Sequence, residues 1–97
     1  MEKRDYLIML YDFYAPLFSL KQKEYFEDYY FNHLSLSEIS ENMEISRNAV
    51  HKSIKLIEKK LLDYEEKLSL YEKNKKLSDI INKIDNKDIK EELEGLL

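Results

Sequence analysis

The chain has 97 residues, 43% of them hydrophobic and 37% charged, with a formal net charge of −4. That length supports one domain with a modest core, and the negative balance excludes indiscriminate binding of a polyanion by the whole surface. The absence of cysteine excludes a disulfide framework or thiolate metal site, while one glycine and one proline leave little material for hairpins or phosphate loops, so the expected fold is all-α.

The first predicted helix covers residues 2–14, where Leu7, Leu10, Tyr11, Tyr14 and Phe18 recur at spacings of three and four and form a stripe that must be buried. Pro16 predicts a corner near Ala15, since the residue before a proline is pushed out of helical backbone. The same N-terminal stretch carries Glu2, Lys3, Arg4 and Asp5 and lacks the apolar core of a secretion signal. No apolar run approaches the roughly 20 residues of a membrane span, and a cytoplasmic, non-membrane protein is expected.

Ser19 with Gln22 has the form of a capping box, and the helix it opens runs from Leu20 to about Asn32 with Tyr25, Phe26, Tyr29 and Tyr30. These tyrosines could stack on bases, but on a helix paired with the first one they read as packing residues with their hydroxyls reaching solvent. His33 has no neighbouring ligand and is not read as a metal site.

Ser35 and Glu38 form a second capping box, followed by Leu36, Ile39, Ser40 and Met43 at helical spacing. A sharp turn is expected over Asn42–Ile45. Ser46 can then cap a further helix in which Val50 and Ile54 share one face and polar residues the other. This is the pattern of a helix-turn-helix, the second helix entering the major groove. Arg47, Asn48 and His51 are the candidates for base edges, and Lys52, Lys55, Lys59 and Lys60 for phosphates. The plain alternative is a solvated helix face.

Val50, Ile54, Ile57, Leu61, Tyr64, Leu68 and Tyr71 continue in alternating steps of four and three, predicting an uninterrupted helix from Arg47 to about Glu72, roughly 39 Å long. Its part past Leu61 needs a surface, supplied either by C-terminal helices folding back or by a second copy. Ile57, Leu61, Tyr64, Leu68 and Tyr71 are therefore the candidate packing or dimer seam. A polar run, Lys73 to Lys76, precedes a short amphipathic helix (Leu77, Ile80, Ile81, Ile84) and a last one (Ile89, Leu93, Leu96, Leu97) that frays at Gly95. These stripes either cover the long helix or offer a docking face. The division expected is a helical head, residues 1–62, and a C-terminal extension, residues 63–97, that is not an independent domain.

Charge is unevenly spread. Ser46–Leu62 holds Arg47, Lys52, Lys55, Lys59 and Lys60 against Glu58, whereas the chain from Asp63 onward has ten acids against seven lysines. With only about three to five phosphates in reach, affinity for nucleic acid would be modest and salt-sensitive.

The run from Leu36 through Ile45-Ser46-Arg47-Asn48-Ala49-Val50 to Ile54 resembles the helix-turn-helix of sigma factor region four and of LuxR-type regulators. With the aromatic stretch Leu10–Tyr14, Lys21-Gln22 and Asp63–Leu68, the chain over roughly residues 2–75 resembles the YlxM family. That resemblance implies a small wingless helix-turn-helix bundle acting in or regulating the signal recognition particle pathway, and the sustained seam adds the expectation of a dimer. Glu44 stands where such motifs often carry glycine; left-handed backbone costs a glutamate on the order of 1 kcal/mol, so a wider turn is expected.

No phosphate loop, HExxH motif or nucleophile with an acid-base partner is present, and Glu65-Glu66 and Glu91-Glu92 read as solvated faces beside lysines, so neither an enzyme nor a cofactor is expected. Two functions follow as expectations. One is a DNA-binding regulator, probed by the face from Arg47 to Lys60; the other is a protein- or RNA-interaction module of the signal recognition particle that uses its acidic C-terminal helices.

Overall fold

In the computed structural model, which describes residues 1–97, the chain is helical throughout and contains no strand. The helices are α1 (Lys3–Tyr14), α2 (Leu20–Tyr30), α3 (Leu36–Met43), α4 (Arg47–Leu68), α5 (Leu70–Ile81) and α6 (Lys87–Glu94). Together they make a body of 55 × 24 × 24 Å. None is long and apolar enough to cross a membrane.

Local sequence sets most of the boundaries. Pro16 ends α1 and lies in a single 3-10 turn, Ala15–Leu17, which delivers Phe18 into the core. Both capping boxes form, Ser19 with Gln22 and Ser35 with Glu38, each hydroxyl accepting from the backbone N–H three residues on. The stripes of α1 and α2 meet in an aromatic stack, Tyr11 on Phe26 at 4.2 Å and Phe26 on Tyr30 at 4.4 Å. Against this stack α4 lays Val50, Ile54, Ile57 and Leu61, all buried within one chain. Each such side chain contributes about 1.5–3 kcal/mol relative to exposure.

The helix that begins at Arg47 does not reach Glu72. It stops at Leu68, because Ser69 adopts left-handed backbone (φ 54°, ψ 33°) and turns the chain into α5. Past Leu61 part of the surface comes from α1 and the turn after it: Tyr64 packs on Tyr14 and Phe18. Tyr71 begins the new direction and packs edge-on against Tyr6 and Phe13 of α1. Leu68 takes no part in this packing within the chain and is 45% exposed.

The polar run Lys73–Lys76 is likewise not a linker but the middle of α5, where Lys76 pairs with Glu72 one turn earlier at 3.1 Å. Of α5's apolar residues Ile81 alone is buried, and α6 buries none. The tail therefore covers part of α1 rather than the length of α4.

The Tyr30 hydroxyl, expected to reach solvent, is instead paired inside the fold, as are those of Tyr11 and Tyr14. Tyr11 donates to Glu27 at 2.7 Å, Tyr14 to Glu65 at 2.7 Å, and Tyr30 to Glu58. Glu58 and Glu65 are consequently buried, so Glu65 is not part of a solvated acidic face. Burial and these carboxylate partners push the Tyr11, Tyr14 and Tyr30 hydroxyls above their ordinary pKa.

Candidate nucleic-acid interface

The helix-turn-helix is built from α3 and α4. Ile39 of α3 is wholly buried, Met43 and Ile45 pack against the core, and Ser40 allows the two helices to approach. Glu44 takes the left-handed backbone itself (φ 56°, ψ 40°), so the turn does not widen. The N–H groups of Glu44 and Ile45 both reach the Ser40 carbonyl, the latter at 3.2 Å, while the Ser40 hydroxyl donates to the Ile45 carbonyl. These bonds offset the cost of the conformation and close the turn tightly. Ser46 then caps α4, accepting from the Ala49 N–H at 3.1 Å.

At about 100° per residue, Asn48, His51, Lys52, Lys55 and Lys59 fall on one side of α4, opposite Val50, Ile54, Ile57 and Leu61. All five are exposed; Arg47, about 100° from Asn48 on the opposite flank from Lys60, is exposed at the helix start. Within this group Lys55 alone has an acidic partner, Glu58 at 3.3 Å, which leaves the others free for an anionic ligand. Lys60 does not share the face: it lies about 100° from Lys59 on the helix circumference and is half-buried. Of the seam residues, Ile57 and Leu61 are core, Tyr64 and Tyr71 are half-buried in the aromatic cluster, and Leu68 points outward.

Two further groups were not connected with this face in the sequence. Arg4 of α1 donates to the Tyr30 carbonyl at 2.8 Å and lies over the Tyr30 ring, 4.8 Å from its centroid. His33, in left-handed backbone after α2, approaches Arg4 with its Nδ1 at 3.5 Å. Proximity between residues 4 and 33 leaves no trace in helical periodicity. Glu58 was legible in principle, because it sits in the apolar stripe of α4, four residues from Ile54 and three from Leu61.

The family described as "Putative helix-turn-helix protein, YlxM / p13 like" (UPF0122) matches residues 1–96. A UPF0122 protein of Ureaplasma parvum serovar 3 is 44% identical over 94 residues, covering 97% of this chain and 95% of its own. One from Caldanaerobacter subterraneus is 47% identical over 79 residues, covering 81% and 68% respectively. Another, from Halalkalibacterium halodurans, is 44% identical over 92 residues, covering 91% and 84%.

Proposed function

Since this chain belongs to the YlxM/p13-like helix-turn-helix family, we propose that it is a DNA-binding regulatory protein in which α4 enters the major groove. The observation that carries this reading is the exposed face of α4. Arg47, Asn48 and His51 at its start address base edges, and Lys52, Lys55 and Lys59 address phosphates. Ile39 of α3 and Val50 of α4 are buried in one core cluster, which holds α3 behind that face, as groove insertion requires. One head offers few phosphate contacts, so the working unit is a homodimer whose two α4 helices lie about one duplex turn, 34 Å, apart. Fluorescence anisotropy on random and selected duplexes across a salt series is the test, with sedimentation giving the oligomeric state. If Arg47→Ala and Lys52→Ala both leave binding unchanged, α4 is not the reading helix.

A second reading is favoured by one observation: Leu77, Ile80 and Ile89 remain exposed on α5 and α6 of an acidic chain. In that reading the tail docks on a protein or RNA component of the signal recognition particle, and the helix-turn-helix is scaffold. Pull-down with the particle's GTPase and RNA, using the intact chain and Ile80→Glu, separates the two. Loss of capture with duplex binding unchanged selects the tail.

A further inference from the structure

The N-terminal end of α1 lies beside the middle of α4, where Lys3, Arg4 and Lys55 line one shallow cavity of about 250 Å³ together with Tyr29, Tyr30 and Glu58. Three cations from two elements thus converge on one opening. Arg4 is held rather than free to wander: its guanidinium lies over the Tyr30 ring and one nitrogen is fixed by the Tyr30 carbonyl. It has no carboxylate partner, and a guanidinium has five N–H donors, so donors remain for a ligand. Glu58 does not cancel this charge on its own, because its carboxylate accepts from Tyr30 and pairs with Lys55.

We propose that this cavity receives a backbone phosphate of the same duplex that α4 reads, with Lys3 and Arg4 acting as contacts outside the helix-turn-helix. The proposal rests on the DNA-binding reading above. Its geometry follows from the helix. Arg47 and Lys55 are eight residues apart, roughly 12 Å along the axis, more than the depth of the major groove, about 8.5 Å. With Arg47 and Asn48 at the base edges, Lys55 and the neighbouring N-terminal end of α1 therefore stand at the level of the groove wall. A guanidinium already fixed in place loses little freedom on binding a phosphate there.

The experiment is duplex binding across a salt series for the intact chain, Lys3→Ala, Arg4→Gln and the double variant, with Lys87→Ala of α6 as a remote control. Each lost phosphate contact lowers the slope of log affinity against log salt by about 0.9. With one phosphate at stake the double variant is expected to lose about 0.9, Lys3→Ala a measurable part of that, and Lys87→Ala nothing. An unchanged slope in the double variant, with wild-type binding intact, overturns this inference and leaves the DNA-binding reading standing. Absence of duplex binding by the wild type overturns both. Arg4 also supports Tyr30, so the fold of each variant is checked by circular dichroism. Should Arg4→Gln fail to fold, the slope of Lys3→Ala, an exposed residue, decides.

Discussion

The hydroxyl of Tyr14 donates to Oε1 of Glu65 at 2.7 Å, and through this pair the end of α1 fixes the joint between α4 and α5. The same carboxylate accepts from the N–H groups of Tyr71 and Glu72, both at 3.1 Å, and the Tyr14 oxygen accepts from Leu70 at 3.0 Å. Ser69, in left-handed backbone, makes no side-chain cap, so an acid four residues upstream satisfies the first turn of α5 instead. Negative charge at a helix N-terminus is favourable as well. Glu65→Ala should therefore cost about 2–3 kcal/mol, because it strands buried donors, and Tyr14→Phe about 1–2 kcal/mol. Urea denaturation measures both. The double variant should cost less than the sum of the two, as residues in one network do.

Two of the three left-handed residues predict gains. Ser69 and Glu44 hold φ values of 54° and 56°, which only glycine adopts without strain. Ser69→Gly and Glu44→Gly should each raise stability by up to about 1 kcal/mol. Thermal melts would show this, and a loss at Glu44 would mean that its side chain contributes more than the backbone relief returns.

Alkaline pH should unfold the protein through its tyrosines. Burial first, and the bond to Glu65 second, raise Tyr14 above its ordinary value of 10.0; burial and the bond to Glu58 do the same for Tyr30. A folded-state value above the unfolded one means that this stability is complete below pH 10.0 and is lost as pH rises from there toward the folded value. Glu38 has the opposite sign: its bonds to the Ser35 backbone and hydroxyl lower its pKa below 4.5. Its contribution is present above that pH and disappears as pH falls through the folded value. Unfolding followed by circular dichroism and tyrosinate absorbance should thus show Tyr14→Phe losing stability less steeply than wild type above pH 10.0.

What the sequence made legible was local. Ser19, Ser35 and Ser46 could be named as caps, Pro16 as a corner and Ile39, Val50 and Ile54 as core, because each follows from spacing along a single helix. The end of α4 was hidden, since Ser69 interrupts a periodic stripe at a joint whose hydrogen bonds come from Tyr14, 55 positions away from Ser69. Glu65 looked solvated, and the burial of Glu58 went unread, for the same reason: a buried acid is tolerable only with its donors, and those come from α1 and α2. At the candidate interface the α4 face could be read from sequence, while Lys3 and Arg4 could not, because only packing brings α1 beside Lys55.

The face of α4 makes a last prediction that separates base reading from phosphate contact. Asn48 and Lys52 are both exposed, but Asn48 stands at the helix start, where a carboxamide can pair bidentately with adenine, and Lys52 stands one turn on, where an ammonium can reach phosphate. Asn48→Ala should cost about 1–3 kcal/mol on a selected duplex, nothing on a random one, and leave the salt slope as it was. Lys52→Ala should weaken both duplexes alike and lower the slope by about 0.9. Lys60→Ala should do neither, since Lys60 lies off the face and half-buried. Equal losses for Asn48→Ala on selected and random duplexes would remove Asn48 from the reading residues. A slope change with Lys60→Ala would mean that the nucleic acid approaches α4 from a different side.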